Sequence, residues 1–256
     1  LALSASENPL KLASKKSYLV ILVDGLGTAN IKAAAGHAGF LNQRIKLSKS
    51  LFSGFPATTT SSLTSLATGK ANGSHAVLGH RVYDRSIKQN INYLNDLGGE
   101  LDPRKYQSLE TISERAAKEG VSVSTIGPAE YEGSGFTMAT MPNANYISAA
   151  SFQERFACAK KALGVSNSLT YLYFPELDQL AHRYGSNSRQ WIEAIEELDS
   201  ELAKFAKSLP SSSGVLLTAD HGVVDVPMDR HLYLDEFACF ENLEQIGGDP
   251  RVGFLY

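Results

Sequence analysis

The chain predicts an α/β fold: a doubly wound, mostly parallel sheet with helices on both faces. Three observations carry that prediction. Short apolar runs bounded by Gly, Pro or polar turns recur at Tyr18 to Val23, Val121 to Ile126, Leu169 to Phe174 and Val215 to Leu217, as expected of strands buried on both faces. Segments with helical periodicity alternate with these runs, the order of a parallel sheet with crossover helices. Three of the runs are followed closely by carboxylates and imidazoles: Asp24, Asp178 with His182, and Asp220 with His221.

Taken in order, Ser17 to Val23 is the first strand and Thr28 to Ala35 is helix-prone. Thr60 to Ala67 reads as a short helix after the Phe55-Pro56 turn. From about Ala71 to Arg104 the sequence turns polar and irregular, rich in Asn, Asp, Tyr and Gly. It is expected to form loops or a small cap over the sheet edge. Leu109 to Lys118 is an amphipathic helix stopped by Gly120, Val121 to Ile126 a strand, and Ser151 to Leu163 a helix with Ser151 as N-cap. The strand Leu169 to Phe174 follows. In the clearest helix, Ser188 to Leu209, Trp191, Ile195, Leu198, Leu202 and Phe205 recur at helical spacing and are assigned to the core. After the Ser211 to Gly214 turn, the last strong strand delivers Asp220. With no internal repeat, low-complexity tract or linker, residues 1–256 are read as a single domain. The missing initial Met suggests an incomplete fragment, with segments expected beyond both ends.

At 256 residues with 43% hydrophobic content the chain can bury a sizeable core. Its net charge of −3, with Lys and Arg scattered among Asp and Glu, leaves no basic footprint for a stable nucleic-acid complex. A small phosphate ester, a nucleotide included, stays open as substrate. Cys158 and Cys239 form no disulfide framework or CxxC pair and read as buried small hydrophobes. No stretch approaches the ~18 apolar residues of a membrane span. The opening, Leu1 to Ser17, lacks a compact apolar leader segment. No compartment is assigned; a cytoplasmic location is favoured, with a signal lost upstream as the alternative.

Ligands in open α/β sheets collect beyond the carboxyl ends of the strands, so the three acidic segments are expected to meet there. Three carboxylates and two imidazoles suit two divalent transition metals, with zinc as first choice and manganese or iron as alternatives. The stretch Phe55 to Gly69 is a hydroxyl cluster on a turn that enters a helix. Alone it reads as a capped helix with surface threonines. Beside a divalent metal, and with free helix N–H groups facing an anion, one of its hydroxyls can serve as a nucleophile.

These residues, in this order, resemble a family. The set Val23-Asp24-Gly-Leu-Gly27, Phe55-Pro-Ala-Thr-Thr-Thr60, Leu63-Thr-Ser-Leu-Ala-Thr-Gly69, Gly73-Ser-His75-Ala-Val-Leu-Gly79, Asp178-Gln-Leu-Ala-His182 and Thr218-Ala-Asp220-His221-Gly222 is similar to type I phosphodiesterases/nucleotide pyrophosphatases of the alkaline phosphatase superfamily. The likeness runs from about Leu19 to Asp225. It implies one metal on Asp24, Thr59, Asp220 and His221, and a second on Asp178 and His182 with a further His expected after Tyr256. It also implies that Thr59 is the nucleophile, placed three residues after Pro56 and nine before Thr68; Thr58 and Thr60 stay open through register. The chain departs from the family at Ser61, Ser62 and Leu63, where nucleotide pyrophosphatases carry Pro-Asn-His, which weakens a nucleotide as substrate.

The expected function is therefore metal-dependent hydrolysis of phosphodiester or pyrophosphate bonds through a phospho-threonine intermediate. Alternatives are a phosphomonoesterase or phosphonate hydrolase on the same scaffold, or a non-catalytic pseudo-enzyme. A sulfatase is disfavoured because its Cys or Ser nucleophile is absent here. A dinucleotide fingerprint at Gly25-Leu-Gly27 lacks its third glycine. Among the other candidates, His75 and His80 are placed in a loop flanking the site, His231 on a solvated loop, and His37 is given no role. Asp225 is read as an acceptor for a ligand imidazole or as a turn residue. Tyr83, Tyr93 and Tyr131 are read as substrate-stacking or packing residues.

Overall fold

The apolar runs become neighbouring strands of one parallel sheet. The structure, a computed structural model, describes residues 10–256; the part of the leader-segment expectation that falls on residues 1–9 lies outside them. In chain order the elements are β1 (Ser17–Val23), α1 (Thr28–Ala33), α2 (Gly39–Ile45), α3 (Thr59–Thr68), α4 (Asn72–His75), β2 (Arg81–Asp84), β3 (Gln89–Asn92), α5 (Pro103–Tyr106), α6 (Ile112–Lys118) and β4 (Ser122–Gly127). There follow α7 (Gly135–Thr140), β5 (Asn145–Ser148), α8 (Phe152–Leu163), β6 (Ser168–Phe174), α9 (Glu176–Tyr184), α10 (Arg189–Lys207), β7 (Ser213–Thr218), β8 (Ile246–Asp249) and β9 (Val252–Leu255).

The main sheet has the order β5-β4-β6-β1-β7. Its central strand β1 pairs in parallel with β6, from Ser17↔Ser168 to Val23↔Phe174, and with β7, from Ser17↔Ser213 to Leu22↔Thr218. The carboxyl ends of β1, β6 and β7 therefore lie side by side, which gathers the acidic segments that follow them. One face, carrying Leu19, Ile21, Val23, Leu172 and Phe174, packs on Phe152 and Phe156 of α8 and on Trp191, Ile195, Leu198 and Phe205 of α10. Each such buried side chain contributes about 1.5–3 kcal/mol. On the other face Ala116 of α6 packs with Val123 and Leu169. Helices thus cover both faces, the expected α/β arrangement.

Two buried charges serve the frame. Arg155, fully buried on α8, donates to the carbonyls of Ala149 (3.0 Å) and Ala150 (2.7 Å) and pairs with Glu176 at 2.5 Å, tying the start of α9 to the core. Asp199 of α10 accepts from the backbone N–H groups of Phe40 (3.0 Å) and Leu41 (2.8 Å), capping α2 from outside.

The polar stretch Ala71 to Arg104, expected as loops or a small cap, carries regular structure of its own. It folds as α4, the β2–β3 hairpin and α5, and β2 joins β8 and β9 in an antiparallel sheet of order β3-β2-β8-β9. These strands have four residues each, too short for alternation to register, and their partners lie far downstream. Tyr83 and Tyr93 are buried here, so packing is their role. The cysteine expectation is also corrected: Cys158 is half-buried and Cys239 exposed, because the segment carrying Cys239 runs over the surface in short turns. Among the described residues no helix is long and apolar enough to cross a membrane.

Candidate active site

Asp24 follows β1 directly, its backbone N–H bonded to the Phe174 carbonyl at 2.9 Å, so its position is set by the central strand pair. Asp220 follows β7 by two residues. Its Oδ1 accepts from the N–H groups of Gly25 (3.0 Å) and His221 (2.8 Å). The chain turns sharply between the two aspartates and their neighbours. Gly25 has φ +70°, and a Cβ there would stand 3.0 Å from Asp178 Oδ1; a Cβ on Gly27 would stand 2.8 Å from Gly222 Cα. Only glycines permit this approach. Asn30 of α1 then grips Val223 on both sides, accepting from its N–H (3.2 Å) and donating to its carbonyl (3.0 Å).

One ligand atom from each of Asp24, Asp220 and His221 comes together, all within 4.8 Å of one another, and all three residues are buried. His221 Nε2 lies 3.6 Å from Asp24 Oδ1 and 3.5 Å from Asp220 Oδ2. Its Nδ1 is 3.2 Å from the Gly222 carbonyl, an acceptor that favours the tautomer with Nδ1 protonated and the Nε2 lone pair inward. Asp24 Oδ1 and Asp220 Oδ2 are buried without a hydrogen-bond partner. Burial, reinforced by Asp220 and Asp178, pushes the Asp24 carboxyl well above the usual range. Its other oxygen, Oδ2, accepts from the Tyr173 hydroxyl. Tyr173 is half-buried on β6, and the desolvation of its hydroxyl, with Asp24 beside it, raises the phenol well above its ordinary value and keeps it protonated.

The hydroxyl cluster resolves by orientation. Thr58 caps α3, accepting from Ser61 N–H, and its Oγ1 lies 3.3 Å from Thr60 Oγ1 in the interior. Thr59, the first residue of α3, instead presents Oγ1 to His221 Nε2 at 3.2 Å. The entering turn is held from α4: Asn72 donates to the Pro56 carbonyl (3.3 Å) and accepts from Ser65 (2.8 Å), which pairs with His75 Nε2 (2.8 Å). His75 Nδ1 accepts from Val77 N–H at 3.1 Å. His75 therefore has both nitrogens engaged in scaffolding.

Asp178 and His182 differ from the expectation that their segment simply ends a strand. They lie on α9, one turn apart, with His182 Nε2 3.4 Å from Asp178 Oδ2. Burial raises the Asp178 carboxyl, and its Oδ1 is buried without a partner. Asp225 is not bonded to an imidazole; it accepts from Ser186 N–H (2.9 Å) and Oγ (2.9 Å), closing the turn after α9. His231 is exposed, as expected, and His37 pairs with Glu196 on the surface. Tyr131 packs edge-on to Tyr173, centroids 5.8 Å apart, and its hydroxyl accepts from Gln179 at 3.0 Å.

Several of these residues escaped the sequence reading. Tyr173 left a usable sign: a tyrosine inside a buried strand needs a partner for its hydroxyl. Asn30 left none. Ser53, which donates to the Asp220 carbonyl at 2.7 Å, left none either. His80, expected in a loop flanking the site, has no role assigned by the sequence. Its Nδ1 is buried and unpartnered, and burial depresses its basicity in the field of Asp249, His221, Asp178 and His182.

Fold and cluster define a class, the doubly wound α/β proteins that work from the carboxyl edge of a parallel sheet. The profile of the type I phosphodiesterase / nucleotide pyrophosphatase family matches residues 18–254. The chain belongs to that family, as its motifs implied. It is 26% identical over 207 residues to mouse bis(5'-adenosyl)-triphosphatase ENPP4, covering 75% of this chain and 43% of that protein. It is 24% identical over 214 residues to venom phosphodiesterase 2 of Crotalus adamanteus, covering 77% and 25%. The chain thus spans less than half the length of these relatives. Murine ectonucleotide pyrophosphatase/phosphodiesterase 5 shares the fold, with a TM-score of 0.66 at 16% identity over 90% of this chain and 65% of that one. An inactive threonine-to-alanine variant of it in complex with AMP superposes similarly, with a TM-score of 0.68 at 16% identity over 92% and 65%.

Proposed function

We propose that this chain carries the catalytic centre of a metal-dependent phosphohydrolase that cleaves phosphodiester or pyrophosphate bonds through a phospho-threonine on Thr59. The observation that carries this reading is the Thr59 hydroxyl, 3.2 Å from His221 Nε2 at the edge of a buried ligand cluster. That cluster fits a cation. Two carboxylate oxygens without partners and an imidazole lone pair converge there, and buried charge of one sign is costly unless countered. Asp24, Asp220 and His221, with Thr59, would hold one divalent ion, zinc being the first choice. Asp178 and His182 would contribute to holding a second. When bound, such ions lower the proton affinity of a hydroxyl and offset charge on phosphoryl and leaving oxygens.

The residues' own parts follow. Thr59 Oγ attacks phosphorus in line as the bond to the leaving oxygen breaks, and water later cleaves the threonine ester. Thr58, by capping α3, fixes the turn that aims Thr59. Gly222, through its carbonyl, keeps the His221 lone pair inward. The relatives, a bis(5'-adenosyl)-triphosphatase and a venom phosphodiesterase, support a diester or pyrophosphate substrate. The inactive threonine-to-alanine neighbour supports a threonine nucleophile. The test compares a chromogenic diester with the matching monoester at equal concentration on zinc-loaded protein. Faster diester cleavage is expected. A monoester preference of about tenfold, ~1.4 kcal/mol in barrier, would move the assignment to a phosphomonoesterase. No turnover of either, with metal bound, would identify a binding module.

A further inference from the structure

Asp24 has two oxygens in different situations. Oδ2 accepts from the Tyr173 hydroxyl, while Oδ1 is buried, unpartnered and 3.6 Å from His221 Nε2. Tyr173 cannot easily move away. It is fixed in β6, its ring is stacked with that of Tyr171 (centroids 6.3 Å) and meets Tyr131 edge-on (5.8 Å). Tyr131 is held in turn by Gln179, the residue after Asp178 on α9. A carboxylate free to rotate can offer a cation one oxygen or both; one whose second oxygen already accepts a hydrogen bond from a fixed donor favours the first.

We propose that Tyr173 is a positioning residue for cation binding: its hydroxyl bonds Asp24 Oδ2 and so orients Asp24 to bind through Oδ1. The inference rests on the reading of Asp24 as a metal ligand and adds a residue that acts through it. Outer partners of ligands change metal affinity by roughly 10- to 100-fold when removed, and this one also bears on how many oxygens Asp24 contributes.

The experiment uses Tyr173→Phe, which deletes one oxygen and keeps the ring against Tyr131 and Tyr171, with Tyr171→Phe as control. Metal-free protein is titrated with Zn²⁺ against a competing chelator, and with Co²⁺ while the visible spectrum is recorded. Zinc affinity at the tightest site is expected to fall roughly 10- to 100-fold in Tyr173→Phe and to stay unchanged in Tyr171→Phe. The cobalt bands should weaken in Tyr173→Phe, as bidentate Asp24 raises the coordination number. Equal zinc affinity and equal cobalt spectra in Tyr173→Phe and the parent would overturn the positioning role while leaving the metal reading intact. If the parent protein bound neither ion, both would fall. Thermal midpoints of the metal-free forms serve as the folding check; should Tyr173→Phe be unfolded, Tyr173→His, with a ring and a donor, is expected to restore binding, and a folded Tyr173→His that binds as weakly as an Asp24→Asn variant would also overturn the role.

Discussion

At the end of β1, Asp24, Asp220 and His221 are exposed by 3%, 4% and 7% and bring their ligand atoms within 4.8 Å. On α9, one turn away in sequence from the last residue of β6, the His182 side chain is 78% exposed and that of its neighbour Asp178 15%. The first group stands on adjacent strand ends whose register is fixed by the sheet. The second stands on the exposed face of a helix that packs Leu177 into the core and is held at its start by Arg155 with Glu176. Groups on strand ends are held in place before any ligand arrives. Groups on an exposed helix face keep their rotamer freedom and lose it on binding. The two loci should therefore differ in affinity, the strand-end one being tighter.

The largest effect should come from the hydroxyl that belongs to the closed group. Thr59→Ala is expected to lower turnover by at least ~10³ while leaving fold and most cation binding in place. Thr58→Ala and Thr60→Ala should be much milder, since those hydroxyls face the interior. Steady-state kinetics on the three variants settle the register. Loss of activity in Thr58→Ala, with Thr59→Ala active, would move the nucleophile by one position.

Next come the ligands themselves. Asp220→Asn should remove the tightly held ion, whereas His182→Ala should leave about one ion per chain after dialysis, the second having gone. Metal analysis of the dialysed proteins reads this directly. If His182→Ala emptied both loci, the contrast between strand end and helix face would be wrong.

A smaller, pH-dependent effect follows from the buried carboxylate. Asp24 is held protonated to well above the usual carboxylate range, first by burial and then by Asp220 and Asp178. The folded metal-free protein thus keeps a proton that the unfolded chain releases near pH ~4. Its contribution to stability is full below that value and is lost as pH rises through the raised one. Thermal unfolding of metal-free protein between about pH 5 and pH 8 should show a falling midpoint, and bound cation should remove that fall. A midpoint that rises over the interval without metal would mean that Asp24 is already charged and countered.

Much of the fold was legible because period and burial coincide. The run Ser17–Val23 became β1 residue for residue, and the helix after Ser188 buries Trp191, Ile195, Leu198, Leu202 and Phe205 as their spacing required. The small antiparallel sheet was not legible, since Arg81 pairs with Gly248 across the chain and neither segment shows a pattern on its own. Within the site, Asp24, Asp220 and His221 could be singled out because acidic residues after apolar runs stand out. Which of three threonines faces them is a matter of helix phase and capping, and that needed coordinates. So did the partners of Asn30, Ser53 and Tyr173, which act through hydrogen bonds to residues far away in sequence.

The smallest expected effect lies outside both loci and tests whether the frame and the closed group are separable. The N–H groups of Phe40 and Leu41 at the start of α2 have no helical acceptor, and Asp199 of α10 supplies one for each at 3.0 and 2.8 Å. Asp199 is 9% exposed, so water cannot readily replace it. Asp199→Ala should cost about 1–2 kcal/mol through the lost cap and two unsatisfied donors, with Asp199→Asn recovering part of the loss by keeping an acceptor oxygen. Because α2 packs on α10 and α1, the loss should be read in chemical unfolding alone, at unchanged slope, with zinc affinity and turnover as in the parent. Should zinc affinity fall along with stability, strand-end preorganisation depends on the outer helices too, and the contrast between the two loci is one of degree set by the whole frame.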